Sequence, residues 1–304
     1  MKIKNYFIAL AIITFTSGIT SCKKDNNSSS STDTATEAKT QADDQNFYST
    51  ESDAVTNDAN ASLNTSGGSY NEGPVSVQTP ILALACDASI TVDTTSNPHT
   101  ITITYNGSSC DGRRTRTGTV VVSFSPDFKW GNAGAQISIQ FENLKITRNS
   151  DGKSITINGT RTVKNVSGGL LKNLATLGTI VHDIDDTGMS ITFDNGKQRT
   201  WETQFERTFT YNNGIVISTT GNVSGENRFG DNFSTVIEQP IVVDQSCDFR
   251  VVSGEVKHTG VKVTTDATFG LDINDNPVTG CPLIFYMKVV WTGPNGTVTA
   301  TLPY

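Results

Sequence analysis

The sequence predicts an all-β fold: an antiparallel β-sandwich or strongly curved β-sheet built from consecutive hairpins, behind a disordered N-terminal tether. Two observations carry the fold and a third carries the tether. Apolar and polar residues alternate with period two in one run after another, as strands with a single buried face require. Asn-Gly and Asp-Gly pairs, which accept positive φ and favour type I′ turns, fall between the runs. The chain before Pro74 shows no such alternation and is rich in Ser, Thr, Asn, Asp, Ala and Gln.

In chain order, Lys2 and Lys4 precede the apolar run Phe7–Phe15, which is too short to span a bilayer as a helix and reads as an export signal, residues 1–21. Thr20-Ser21-Cys22 resembles the lipobox of bacterial lipoproteins, which implies cleavage before Cys22 and acylation of its thiol. Lys23-Lys24-Asp25 resembles the charged signals that send lipoproteins of the Bacteroidota to the outer cell surface. Residues 22–74 are expected to form a lipidated, disordered acidic tether. From Lys23 to Pro74 three lysines face nine acids, and such a segment buries too little apolar surface to offset its ordering entropy. Asn46-Phe47-Tyr48 holds its only aromatic pair.

Residues 75–304 are expected to form a single all-β domain. It carries 18 basic and 21 acidic side chains, a balance that argues against nucleic acid as a partner. Ile101, Ile103 and Tyr105 alternate with Thr100, Thr102 and Thr104. Ile137, Ile139 and Phe141 alternate with polar neighbours, as do Ile155 and Ile157. Between Arg199 and Tyr211, Trp201, Phe205, Phe209 and Tyr211 share one parity, so Trp201 reads as core, while Glu202, Gln204 and Glu206 take the other. Turns are predicted at Asn106-Gly107, Asp111-Gly112, Asp151-Gly152, Asn195-Gly196, Asn213-Gly214 and Asn295-Gly296, and a turn or bulge at Asn158-Gly159. Leucines near helical spacing at 170–177, bounded by Gly168-Gly169 and Gly178, predict a loop with a short helix.

Four stretches, Cys110–Gly118, Phe141–Leu144, Ile157–Val163 and Cys247–Gly254, resemble in their order a group of uncharacterised secreted lipoproteins of the Bacteroidota. The similarity runs from about Ile90 to the C-terminus, with Phe249 where the group is expected to carry a tryptophan. It implies compartment and β architecture and brings no activity with it.

Once Cys22 is lipidated, Cys86, Cys110, Cys247 and Cys281 remain. An even number in an exported domain predicts disulfides, with three pairings open. Cys86–Cys110 and Cys247–Cys281 are favoured because each pair is close in sequence, and a zinc site lacks any Cys-x-x-Cys pair. Arg113, Arg114 and Arg116 form a candidate anion fork, weighed against a solvated hairpin edge. Trp130, in a loop-like context, is the best candidate for stacking a sugar ring. His182, Asp183, Asp185 and Asp186 are weak candidates for a metal site against a solvated acidic turn, and no cofactor is implied. Asp272–Asn276 opens like a calcium loop, but Pro277 stands where the turn glycine belongs, which favours a plain Asx turn. Asp33-Thr34 and Asp93-Thr94 resemble the acceptor sites glycosylated in exported Bacteroidota proteins, which marks Thr34 and Thr94. His99, His182 and His258 lie apart, and no hydrolase or phosphate-loop motif is present.

The sequence therefore predicts a lipoprotein of the outer membrane, lipid-anchored and facing the exterior, with a non-catalytic binding or structural role. Its partners are the membrane, through the anchor, and a glycan or an envelope protein. The alternative is a secreted hydrolase acting on polysaccharide or peptide.

Overall fold

The computed structural model describes residues 40, 43–45, 47–56, 58–59, 62–63, 86–109, 112–294 and 296–304. Cys22, Thr34 and Cys110 lie outside them, as does the predicted signal segment.

The alternating runs form a single 13-stranded antiparallel sheet in which every strand pairs with the next in sequence. The strands are β1 (Ala88–Asp93), β2 (His99–Ser108), β3 (Arg114–Phe124), β4 (Ala135–Arg148), β5 (Ser154–Asn165), β6 (Thr179–Phe193) and β7 (Gln198–Tyr211). After them come β8 (Ile215–Glu226), β9 (Asn232–Asp244), β10 (Arg250–Thr259), β11 (Thr264–Leu271), β12 (Tyr286–Gly293) and β13 (Gly296–Pro303). The sheet is not closed, and β1 and β13 are its edges. A short 3₁₀ turn (Leu171–Asn173) and one α-helical turn (Leu174–Leu177) bridge β5 and β6, and Leu174 is buried there.

Three Gly-containing pairs sit where the turn chemistry puts them: Asp151-Gly152 joins β4 to β5, Asn195-Gly196 joins β6 to β7, and Asn213-Gly214 joins β7 to β8, while Asp111 and Asn295 lie outside the described residues. Asn106-Gly107 departs from this. Both residues lie inside β2, opposite Thr117 and Arg116 of β3, because β3 is long enough to continue the ladder past them. The Asp87 carbonyl accepts the Asn106 N–H at 2.8 Å, which holds the pair extended on its other side.

Bulges curl the sheet. Register shifts interrupt the β3–β4, β4–β5, β5–β6, β6–β7 and β8–β9 ladders, and Asn158-Gly159 lies at the β5–β6 shift. Gly118, at φ +116°, and Gly221, at φ +121°, mark two of these sites. A Cβ there would lie 2.3 Å from the Asn143 carbonyl oxygen and 1.9 Å from that of Gln204, so only glycine lets the neighbouring strand approach.

The inner face holds two apolar clusters. The larger runs from Ile101 and Ile103 through Phe141, Ile157 and Ile191 to Trp201 and Phe233; the smaller gathers Ile180, Phe209, Ile217, Ile241, Phe269 and Met287. The larger cluster also contains Phe47, Tyr48, Val55, Ala59 and Leu63.

Those five residues correct the predicted tether. Within residues 22–74, all the described residues from 43 to 63 are helical, and most are buried against the sheet. Residues 47, 51, 55, 59 and 63 step by four, so they share one helix face, with Glu51 set among apolar neighbours. Burying Tyr48, Val55 and Leu63 contributes roughly 1.5 to 3 kcal/mol each, which a helix rich in Ser, Thr and Asp could not gain from propensity alone.

Near the open C-terminal edge, Cys247 and Cys281 are disulfide-bonded with Cα atoms 5.1 Å apart. The bridge ties the turn between β9 and β10 to the loop before β12. Arg250 reinforces it by donating to the carbonyls of Pro282 (2.8 Å) and Leu283 (3.1 Å). Cys86 is disulfide-bonded as well, and its predicted partner Cys110 is outside the described residues.

Candidate functional site: the helix-covered inner face

The acids of residues 43–58 meet cations projecting from the sheet. Asp44 accepts from Arg228 Nε at 2.7 Å, and Glu51 from Arg114 Nη1 at 2.6 Å. Asp53 takes Arg161 at 3.0 Å and Arg207 at 3.1 Å. Asp58 takes Arg116 at 2.7 Å, while Asp43 takes Arg148 at 3.3 Å and Lys153 at 3.1 Å. Neighbouring residues 43 and 44 thus reach both the β4–β5 end of the sheet and the β8–β9 hairpin, four strand spacings away. In a flat sheet that gap would be about 19 Å, so the sheet wraps the helix.

Two of these contacts are built alike. Arg116 grips Asp87 with two bonds, at 2.6 and 2.7 Å, and reaches Asp58 of the helix, which also accepts the Tyr105 hydroxyl at 2.8 Å. Arg161 grips Asp186 with two bonds, at 2.7 and 2.9 Å, and reaches Asp53 of the helix, while the Tyr48 hydroxyl donates to Asp186 at 3.1 Å. In each, a carboxylate of the sheet domain, Asp87 in the turn before β1 or Asp186 in β6, orients a guanidinium fork that then holds a helix carboxylate.

Burial and pairing pull against each other here. Burial pushes the carboxyls of Asp44 and Asp58 up from their ordinary value, despite Arg228 and Arg116 beside them. Burial also acts on Asp43, but Arg148 and Lys153 together outweigh it and leave that carboxyl below its ordinary value. Desolvation opposes the charge on Arg116 and Arg161, yet their carboxylate partners hold both firmly protonated. Arg199, 1% exposed, stacks on Trp201 and Phe233 with its guanidinium carbon 4.6 and 4.2 Å from the ring centres. Burial, aided by Arg228 against the pull of Asp44, pushes it down to about 9.

The residues singled out in the sequence have different fates. Arg114 and Arg116 face the helix as cations of this site, whereas Arg113 is exposed. Trp130 is not an exposed stacking ring: it is 4% exposed, packed between Phe128 and His182, because its loop folds in under β5, where Asn165 donates to its carbonyl at 2.7 Å. His182 through Asp186 is neither a fold-back loop nor a solvated turn but the middle of β6. The strand sends His182 and Asp186 inward and Asp183 and Asp185 the other way, so the four cannot converge on an ion. Among the described residues no group of His, Cys, Asp and Glu is arranged to hold a metal. Asp272 closes an Asx turn by accepting from the backbone of Asn274 and Asn276 at 2.8 and 2.9 Å. Thr94 is exposed beside Asp93, whose carboxylate is drawn down to about 2 by hydrogen bonds from Thr95 and Ser96.

The sequence reading missed Asp43, Asp44, Glu51, Asp53 and Asp58, along with Arg161, Arg199, Arg207 and Arg228. A usable signal was present in the four-residue step of 47, 51, 55, 59 and 63. The arginines, Arg114 and Arg116 included, are spread over β3, β5, β7 and the β8–β9 hairpin, and only the curl gathers them. No protein-family model, curated protein or solved structure matches this chain.

Proposed function

We propose that this chain is a lipoprotein held in the outer membrane through acylated Cys22, facing the exterior, and that it serves a non-catalytic binding role through its inner sheet face. The observation that carries the binding reading is the row of sheet cations, interleaved with Tyr105, Trp201 and Phe233, that the carboxylates of Asp44, Glu51, Asp53 and Asp58 engage. Such a face selects an anionic, partly apolar ligand.

The hydrolase alternative needs carboxylates free to act on a substrate, and Asp53, Asp58, Asp87 and Asp186 are each engaged by a guanidinium. A glycan as ligand loses its best stacking residue with the burial of Trp130, which favours an envelope protein. The test applies the full chain, as wild type and as Glu51→Gln/Asp53→Asn, to an array of neutral and sulfated glycans and to immobilised acidic peptides. Weakening the helix should uncover binding to anionic probes alone. Unchanged silence toward every anionic probe, in a variant that keeps its β spectrum, would count against the inner face as a binding surface.

A further inference from the structure

We propose that the inner face is a receptor for an acidic amphipathic helix of a partner protein, and that residues 43–63 occupy that receptor until the partner displaces them. This rests on the inner face being the binding surface, and it names the class of ligand.

The resident helix defines the shape of the site. It offers carboxylates at 44, 51, 53 and 58 to Arg228, Arg114, Arg161 with Arg207, and Arg116, and between them it seats Phe47, Tyr48, Val55 and Leu63 in the apolar floor. These contacts run through side chains, so any helix with the same spacing of acids and apolar groups can make them. No strand ladder has to be broken for the helix to leave. Residues 64–85 separate it from Cys86, and a chain of that length spans up to about 70 Å, so its departure leaves the sheet's own hairpins untouched.

The energetics point the same way. A helix serving only as core would be held as well or better by apolar residues, since desolvating buried ion pairs consumes much of their attraction. Charge pairs instead fix orientation and register, and they discriminate against helices lacking the matching acids. Asp87 and Asp186 stay with the sheet and keep Arg116 and Arg161 aimed, so the receptor is preorganised whichever helix occupies it.

A fluorescent peptide of residues 43–63 serves as the probe, read by anisotropy against the full chain. The variant Glu51→Gln/Asp53→Asn/Asp58→Asn should bind it at least about tenfold more tightly than wild type, whose own helix competes. Added salt should weaken binding, and a peptide with Asn and Gln in place of its acids should not bind. If the triple variant does not fold, the single Asp53→Asn, which leaves Arg161 paired with Asp186, carries the same comparison. Failure of the peptide to bind a folded variant overturns the proposal, as does equal binding of the neutral peptide. A concentration-dependent dimer of wild type that the peptide dissolves overturns it too, by assigning the site to a second copy of this chain. If the peptide fails but the weakened variant gains sulfated glycans on the array, the binding role stands and only the helix is lost. If both fail, the two readings fall together.

Discussion

Arg161 shows what one buried side chain does in this protein. It is tied to Asp186 on the sheet and Asp53 on the helix, with side-chain exposures of 4% and 0% for Arg161 and Asp186. Removing the guanidinium leaves a buried carboxylate whose remaining hydrogen-bond partner among the described residues is the Tyr48 hydroxyl. Arg161→Ala is therefore expected to cost about 3 to 5 kcal/mol in urea unfolding, whereas Lys153→Ala, at a half-exposed pair, should cost less than about 0.5 kcal/mol. His182 supplies a pH dependence. It lies edge-on between Trp130 and Phe209 with Arg207 nearby, and burial followed by Arg207 pushes its pKa down to about 4. The unfolded ring titrates near 6.5, so the stability gained from keeping it neutral is complete above about pH 6.5 and is lost as pH falls toward 4. His182→Phe keeps the ring packing, and its Nε2 makes no hydrogen bond to lose. The variant should reduce the loss of stability between pH 7 and pH 5 by roughly 2 kcal/mol, read from urea midpoints at the two pH values. An unchanged pH slope would show that His182 does not contribute.

At the scale of elements, glycine position decides how the strands curl. Gly221→Ala must move the Gln204 carbonyl and also strain a φ of +121°, so a loss of about 3 kcal/mol or more is expected in chemical denaturation. Gly196→Ala, in a turn with open space around it, meets only the φ strain and should cost about 1 kcal/mol. The helix is a separable element, held by its apolar stripe and its ion pairs. Tyr48 packs on Trp201 at 4.6 Å between ring centres and is 1% exposed. Tyr48→Ala should weaken docking by about 3 to 5 kcal/mol. Limited proteolysis should then cut within 43–63 while the β spectrum of the sheet persists; a sheet that unfolds together with the helix would instead make the helix an integral part of the fold.

At the scale of the molecule, the docked helix changes how the domain is held. If Cys22 carries the acyl chains, about 20 residues separate the anchor from the docked residues that begin at 43, and a chain of that length spans at most about 70 Å. Radiolabelled palmitate should enter wild type and not Cys22→Ala; equal labelling would remove the anchor. The Cys247–Cys281 bridge secures the C-terminal strands, where the inner cluster is smaller and β13, paired to β12 alone, is an edge strand. A separation of 34 residues corresponds to about 3 to 4 kcal/mol of restricted unfolded chain. Non-reducing peptide maps of exported protein should recover this pair together with Cys86–Cys110.

The strands, their inward residues and most of their turns were legible in the sequence, because a strand's alternation and an Asn-Gly turn are local properties carried by the residues themselves. Ile101, Ile139, Ile157 and Trp201 are buried as their parity requires, and Cys247 meets Cys281 as their spacing suggested. What the tertiary structure alone decided is where charge and aromatic rings find partners. The acids at 43–58 look solvated until a curled sheet brings Arg114, Arg116, Arg161, Arg207 and Arg228 around them, and those arginines come from strands and a hairpin scattered over more than a hundred residues. Trp130 looks exposed until its loop folds under β5, and Asn106-Gly107 looks like a turn until β3 extends past it. In each case the deciding interaction lies across the sheet, and a local sequence pattern holds no information about a neighbour that only bulges and curvature bring near.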